Sequence, residues 1–397
     1  EVRQTFGRSQ WLEGGVVSSG ANRDPLVVAQ DSVGRIVAIN FERAHVETAE
    51  VPGEPYIGTV PCIAEVDGEP GDEIVVARGD GTLSVLSQNL RLLWRYAGGT
   101  RFESSPAIAP QLHGESAIFA QDSEGIVHAV SGRGRPLWTH ALPEHAARFP
   151  SISDVHVVRL PAMGAVVLCS DASGWLYALD ASTGAEIWRA HAGTRALGAP
   201  ALLRSDDTLE IVTVSEVGEV CVVTSSGEIR SQTRLPAAGY VPRPLLADVD
   251  ADGANEIIIA TRDWRILVAS IDGEVEQELK LQGSAREGIL LADINADGFL
   301  ELIAATDCAR AYCFSTQARS GWTHPRGDYP HHGTTGTLQR IAAPDRWGGP
   351  ARMPRLAALN IPPFHRDVPV AEALLTFPTA NARRWVSVVL REDAKVV

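Results

Sequence analysis

Lysine is almost missing from this chain of 397 residues: Lys280 and Lys395 are the only two, and arginine makes up the rest of the 35 basic residues. Against 49 acidic residues this leaves a formal charge of −14 and a pI near 5.3. No basic stripe is visible, so nucleic acid is excluded as a partner, because affinity for the phosphate backbone needs clustered cations. An acidic surface suits cations, calcium among them. There is no run of about 18 apolar residues, which excludes a membrane-spanning helix. The five cysteines, Cys62, Cys169, Cys221, Cys308 and Cys313, form no CxxC pair and no zinc spacing, and the odd count leaves at least one free thiol. Most lie in apolar strand-like runs, as small buried hydrophobes do. GxSxG, HExxH, the P-loop and nucleotide-binding glycine patterns are all missing, which removes the commonest hydrolase, metalloprotease and nucleotide-binding classes. The first residue is Glu1, which fits a processed mature N-terminus as well as a trimmed chain.

Glycine, by contrast, is plentiful at 36 residues, and so are proline at 24 and tryptophan at 9. With 45% hydrophobic residues the composition is that of a turn-rich protein with a large core. The glycines fall in a repeating frame of apolar strand, short polar turn and second apolar strand. Seven copies are visible: LVVAQDSVGRIVAIN, IVVARGDGTLSVLS, AIFAQDSEGIVHAV, VVLCSDASGWLYALD, IVTVSEVGEVCVVT, IIIATRDWRILVAS and LIAATDCARAYCFS. Their turn positions are Gly34, Gly81, Gly125, Gly174, Gly218, Trp264 and Ala309, spaced 47, 44, 49, 44, 46 and 45 residues apart.

A period near 45 is four short strands long. Two are the copy itself, a third often carries tryptophan, and a fourth lies between copies, as in SSPAIAP, APALLR, VPRPLLADV and REGILLADI. The expectation is an all-β fold, a seven-bladed β-propeller with four-stranded blades over residues 1–337. No stretch of ten residues or more in that region keeps a 3.6-residue apolar period, which excludes helical bundles and βαβ units. The ring must close to keep the end blades out of water. Two segments are candidates: residues 1–20, with Val16 and Val17 as the inner strand of blade one and Trp11 as a plug, and GWTHPRGDYPHHGTTG at 321–336. Residues 338–397 form a Pro-rich C-terminal extension. It ends in two strand-like runs, read as a hairpin added to the propeller edge or docked on another subunit.

The pattern richest in chemistry is LLADVDADGANEIIIAT at 245–261. Asp248, Asp250, Asp252 and Glu256 occupy positions 1, 3, 5 and 9 of a loop, Ala254 offers a carbonyl at 7, and Gly253 sits where a sharp turn is needed. Four carboxylates this close repel one another without a cation, and hard oxygen donors suit calcium. A second copy offers Asp293, Asn295, Asp297, the Phe299 carbonyl and Glu301, with Gly298 at the turn. A weaker third, AEVDGEPGDEIVVA, aligns Glu65, Asp67, Glu69, the Gly71 carbonyl and Glu73, with Pro70 at the turn position. The cofactor expectation is therefore structural calcium, with two sites and a degenerate third.

The D-x-[DN]-x-D-G-x-x-E loops at Asp248 to Glu256 and Asp293 to Glu301, each followed by a strand, resemble the FG-GAP/VCBS repeats of integrin-α-like propellers. That resemblance implies structural calcium and a location outside the cytoplasm. ALDASTGAEIW at 178–188 is similar to the tryptophan-docking motif of pyrroloquinoline-quinone-type repeats, which implies that the tryptophan packs on the neighbouring blade. Trp94, Trp138, Trp188 and Trp322 share one position relative to their turns to within one residue, while Ser231 and Gln277 replace tryptophan in blades five and six. The quinone enzymes usually have eight blades, and many carry a vicinal cysteine pair that this chain lacks. The docking motif is thus read as architecture, with no catalytic and no cofactor-binding residues assigned. His324, His331 and His332, with Asp328 and Tyr329, resemble a terminal motif of bacterial propellers and are read as closing the ring in preference to a metal or acid–base site.

These readings point to a secreted, cell-surface or periplasmic propeller that acts as a protein-interaction scaffold or a subunit of a larger assembly. A carbohydrate-binding propeller is the alternative, if Trp175 and Trp264 form stacking platforms on one face. A polysaccharide lyase or hydrolase, or a quinone-dependent dehydrogenase, comes third.

Overall fold

The computed structural model describes residues 12–18, 26–323 apart from stretches of connecting loop, 373–378 and 385–390. The structure is all-β. Blade one consists of β1 (Leu12–Ser18), β2 (Leu26–Asp31), β3 (Arg35–Asn40) and β4 (His45–Glu50). Blade two is β5 (Cys62–Ala64), β6 (Glu73–Ala77), β7 (Thr82–Leu86) and β8 (Leu92–Ala97). Blade three comprises β9 (Ala107–Leu112), β10 (Glu115–Gln121), β11 (Ile126–Ser131) and β12 (Pro136–Ala141). Blade four has β13 (His156–Leu160), β14 (Gly164–Ser170), β15 (Trp175–Asp180) and β16 (Glu186–His191). Blade five is β17 (Ala201–Arg204), β18 (Leu209–Val214), β19 (Glu219–Thr224) and β20 (Ile229–Arg234). Blade six is β21 (Leu245–Ala247), β22 (Glu256–Ala260), β23 (Arg265–Ala269) and β24 (Val275–Lys280). In blade seven the strands are β25 (Ile289–Ala292), β26 (Glu301–Ala305) and β27 (Ala311–Ser315). Each sheet is an antiparallel meander, so the seven copies seen in the sequence are the paired second and third strands of seven blades.

The physical basis of the repeat lies in which strand faces what. The second strands, such as Glu73–Ala77 and Glu256–Ala260, are buried along their whole length, because both faces pack on neighbouring blades. Outer strands such as β8 and β12 alternate between exposed and half-buried, with one side against the next blade and the other in water. The core is correspondingly a series of layers between blades. Val28 and Ile36 of blade one pack with Ile63 and Ile74 of blade two, and the layering continues through to Leu245 and Ile258 of blade six with Leu291 and Leu302 of blade seven.

Two departures from uniform four-stranded blades appear at the end of the ring. Blade seven has three strands among the described residues. The chain leaves β27 and runs inward as β28 (Gly321–Trp322), which pairs antiparallel with β21, the innermost strand of blade six. Leu291 of β25 donates its N–H to the carbonyl of Thr323, the residue after β28, at 3.0 Å, so this segment touches the inner strands of blades six and seven. Blade six thereby becomes five-stranded. Val16 and Val17 lie on β1 and pair with Val28 and Val27, as the inner strand of blade one should. Trp11 lies outside the described residues.

β29 (Ala373–Pro378) and β30 (Trp385–Leu390) pair antiparallel as a separate two-stranded sheet. Among the described residues no helix is long and apolar enough to cross a membrane.

Candidate metal centre and blade contacts

The carboxylate loops are the connections between the first and second strands of their blades. In blade six the backbone folds around its own acids. Asp248 accepts the N–H groups of Asp252 through Oδ1 and Gly253 through Oδ2, both at 3.1 Å, and Asp252 Oδ1 accepts that of Ala254 at 2.8 Å. Gly253 has φ +96°, and an added Cβ would meet nothing within 4 Å, so glycine is required there by backbone conformation and not by space. Blade seven repeats the arrangement: Asp293 accepts from Asp297 at 3.1 Å and from Gly298 at 2.9 Å, and Asp297 accepts from Phe299 at 2.8 Å. Asn295 lies outside the described residues.

Position 9 carries the buried end of the site. Glu256 is 2% exposed, and its Oε2 accepts the Val249 N–H at 2.7 Å; Glu73, 5% exposed, accepts from Val66 at 2.9 Å. Carboxylate oxygens of Asp248, Asp250 and Glu256 lie within 4.8 Å of one another, as do those of Glu65, Asp67 and Glu73 in blade two. The structure therefore brings together positions 1, 3 and 9 in both loops, and the blade-two copy, degenerate in sequence, reproduces the grouping. Asp252 and Glu69 at position 5 do not join these groups. Asp252 instead caps Ala254, and the Glu69 N–H binds Asp67. Burial, followed by the nearby acids, pushes the Glu256 carboxyl up to about 7 against the pull of the Val249 N–H, and Glu73 is raised to about 7 in the same way. A calcium ion with oxygens at 2.3–2.6 Å fits between three acids so spaced, and its charge would offset their repulsion.

The tryptophan positions resolve into two kinds. The Nε1–H groups of Trp94, Trp138 and Trp188 donate to the carbonyls of Gly132, Ala181 and Ser225, each at 3.0 Å and each in the next blade. Every indole packs against a turn glycine of that blade. A Cβ added at Gly134, Gly184 or Gly227 would sit 2.9, 2.6 and 2.6 Å from the ring. At the blade five to six contact, where Ser231 stands in the tryptophan position, the Thr233 side chain lies over Gly273 instead.

Trp322 departs from the series. It lies in β28, is 4% exposed, and packs with Leu246, Ala201 and Leu202 inside the ring. Its ring centroid is 6.3 Å from that of His156 on blade four, and its Nε1 has no hydrogen-bond partner among the described residues. Spacing alone could not separate a residue that docks on the next blade from one that turns into the channel. His324, His331, His332, Asp328 and Tyr329 lie outside the described residues.

The turn position before each copy's glycine carries the remaining polar work. Asp122 Oδ1 accepts the N–H groups of Glu124 and Ile126, while Oδ2 meets Thr100 Oγ1 and His128 Nε2, the latter at 3.2 Å. Tyr96 OH reaches His128 Nδ1 at 3.1 Å. Burial works to raise the Asp122 carboxyl, but the hydrogen bonds from His128, Thr100 and the Ile126 N–H outweigh it and hold it below its ordinary range. Asp171 caps its turn in the same way and accepts from Tyr177 OH at 3.0 Å. The Asp122–His128 pair has the composition of acid–base machinery, but both side chains are buried, Asp122 Oδ1 is spent on the turn and Oδ2 is shared between Thr100 and His128.

Sequence reasoning missed Arg78, which occupies the same position in blade two. It is 1% exposed and donates to the carbonyls of Gly34 at 2.9 Å, Val51 at 2.9 Å and Gly53 at 2.8 Å in blade one. The signal was an arginine where other copies have Asp, Ser or Thr.

Among the described residues, Cys62, Cys169 and Cys221 are buried and Cys313 is exposed. Burial pushes the Cys221 thiol up to about 11 and raises Cys169 further, so neither is primed for nucleophilic chemistry. Cys308 lies outside the described residues.

Comparison with known proteins places this architecture. Among solved structures the chain is similar to BamB from Moraxella catarrhalis, with a TM-score of 0.54 and 16% identity over 79% of this chain and 87% of that one. It is also similar to Sqt1 of Saccharomyces cerevisiae (TM-score 0.51, 13% identity, 73% of this chain and 80% of that one) and to the C-terminal WD40 domain of Sif2 (TM-score 0.51, 13% identity, 78% and 85%). At these identities the likeness concerns the propeller fold alone. No match was found among curated proteins. A family model of quinone-type repeats, described as outer membrane protein assembly factor BamB, matches residues 123–321, from the second-to-third-strand turn of blade three to the start of β28. That match spans half of the chain, and the protein belongs to this BamB-like family of propellers.

Proposed function

We propose that the protein is a non-catalytic propeller outside the cytoplasm, in the periplasm of a cell with an outer membrane, where it serves as an interaction subunit of a larger protein assembly. The observation that carries this reading is the family match, whose description is that of an assembly factor for outer membrane proteins. The polar interior agrees with it. The side chains with catalytic potential, Asp122, His128, Asp171 and Arg78, are buried and committed to turns and blade contacts. Function then resides in the loops a propeller presents.

Calcium belongs to this reading as a structural element. The acids of Asp248, Asp250 and Glu256, and of Glu65, Asp67 and Glu73, would hold an ion that fixes the loop between the first and second strands; the Asp293, Asn295, Asp297 and Glu301 loop, with the same backbone hydrogen bonds, is the third site. This is the property that the FG-GAP/VCBS resemblance implies.

A carbohydrate ligand is the second reading, supported by Trp264, 55% exposed at the turn between β22 and β23. Its proposed companion Trp175 is less available: its ring meets that of His191 at 4.9 Å and the Arg189 guanidinium at 5.3 Å. Affinity purification of the tagged chain from its own host, with quantitative mass spectrometry, tests the assembly reading. Defined protein partners at fixed stoichiometry are expected. A chain recovered alone, with binding on a glycan array, would replace it with the carbohydrate reading.

A further inference from the structure

The outer rim of blades two and three differs in charge from the rim that follows it. Residues 81–102 and 125–143, which hold the third and fourth strands of these two blades, contain no aspartate or glutamate and five arginines, Arg91, Arg95, Arg101, Arg133 and Arg135. The same strands carry Asp180 and Glu186 in blade four, Glu219 and Glu228 in blade five, and Asp272, Glu274, Glu276 and Glu278 in blade six. In a chain of formal charge −14 this makes a local basic surface. Arg133 and Arg135, in the turn that leads into β12, are both exposed. Arg133 donates to the Asp67 carbonyl at 3.1 Å, and Arg135 pairs with Glu115 while its side chain stays 68% exposed.

The outer strands of this rim also lack the guard that others have. β12 ends its sheet among the described residues, and its water-facing residues Leu137, Thr139 and Ala141 are exposed and uncharged, Leu137 by 43%. On β8 the exposed apolar residues are Leu92 and Leu93. The equivalent edge positions hold Arg230, Gln232 and Arg234 on β20, and Glu276, Glu278 and Lys280 on β24. Charges so placed keep an outer strand from pairing with another chain, and β12 has none.

We infer that β12 is the edge on which a partner protein adds a strand, an extended segment that is apolar along Leu137–Ala141 and acidic where it passes Arg133 and Arg135. Main-chain hydrogen bonds along the edge supply affinity, and the arginines select the acids. The net charge of −14 opposes an anionic lipid surface as the occupant. This inference rests on the reading of the protein as an interaction subunit and names the surface it uses.

The test places a photoreactive benzoylphenylalanine in the full chain at Leu137, Thr139 or Ala141, with Arg230 and Glu276 as controls, and irradiates the protein in its own host. Adducts with one protein are expected at the three β12 positions, tenfold or more above the controls. Peptide mass should place them in one acid-bearing segment, the attachment point moving about two residues for every two along β12, as strand pairing requires. Arg133→Glu with Arg135→Glu should lower the yield tenfold or more and Arg133→Lys with Arg135→Lys should keep it, all at parental melting temperature. Equal yields at the controls, attachment points without that stepping or without acids, adducts with phospholipid or a second copy of this chain, or indifference to the charge reversal would each overturn the inference. So would no adduct at residues 137–141 beside partners recovered by affinity purification, which leaves the assembly reading standing. No adduct anywhere and a chain recovered alone would remove both.

Discussion

The indole Nε1–H of Trp138 donates to the carbonyl oxygen of Ala181 at 3.0 Å, tying the outer strand of blade three to the turn between the third and fourth strands of blade four. The ring lies on Gly184, whose φ of +72° and lack of Cβ let the two blades close on each other. Trp138→Phe keeps most of the packing and loses the bond, for a cost of about 1 kcal/mol in denaturant unfolding. Trp138→Ala leaves a cavity and costs about 3–5 kcal/mol. Gly184→Ala, which puts a methyl group 2.6 Å from the ring, is expected to be more damaging than Trp138→Phe.

Arg78 is predicted to be the most sensitive polar residue between blades one and two. Arg78→Met keeps the side-chain volume but leaves the carbonyls of Gly34, Val51 and Gly53 without their donor. A loss of about 2–4 kcal/mol is expected from chemical denaturation, since the abandoned acceptors of Gly34 and Val51 are buried and each carries its own desolvation penalty. Arg78→Lys recovers only part of it, because one ammonium cannot span three acceptors.

Trp264 occupies a left-handed conformation, φ +70°, where Gly34, Gly81, Gly125, Gly174 and Gly218 stand in other blades with φ between 75° and 92°. Its carbonyl accepts the Leu281 N–H at 2.8 Å, as the Gly218 carbonyl accepts that of Leu235, so the position is structurally equivalent. The strained backbone and the exposed indole both count against this residue in the isolated protein. Trp264→Gly is therefore expected to raise stability by about 0.5–1 kcal/mol, the relief of strain being partly offset by the greater freedom of glycine in the unfolded chain. Melting of the variant beside the parent checks it.

Much of this was legible in the sequence because it is periodic. The turn residues fix seven blades, and Trp94, Trp138 and Trp188 announce contacts made one repeat away. Non-periodic features were harder to see. Trp322 keeps the interval of the docking tryptophans, yet its neighbours, Leu246 and His156, belong to blades six and four, and nothing local distinguishes it. Position 5 of the acidic loops looked equivalent to positions 1, 3 and 9, but the backbone N–H of Ala254 draws the Asp252 carboxylate aside. The blade-two loop looked eroded in its residue types, while Glu65, Asp67 and Glu73 still meet because the strand pairing of Ala64 with Glu73 sets their spacing.

The Asp122 network predicts a defined acid limb. Its carboxyl is held below the ordinary 3.8 in the folded protein, so the bonds from Thr100, His128 and the Ile126 N–H stabilise the fold above that pH. The contribution is lost as pH falls from 3.8 through the lower folded value. Asp122→Asn should cost about 1–3 kcal/mol near neutrality, and the gap between variant and parent should narrow as the pH is lowered below 3.8. Urea unfolding of both proteins across that range measures it.

The acidic loops of blades two, six and seven carry the claim that this propeller is clamped by calcium, and thermal melting in chelator and then in millimolar calcium tests it most directly. The account predicts that calcium restores about 1 kcal/mol per occupied site. It also predicts that most of this difference disappears when Asp250→Ala is combined with Asn295→Ala, the same loop position in blades six and seven. Superimposable melting curves in chelator and calcium would contradict it.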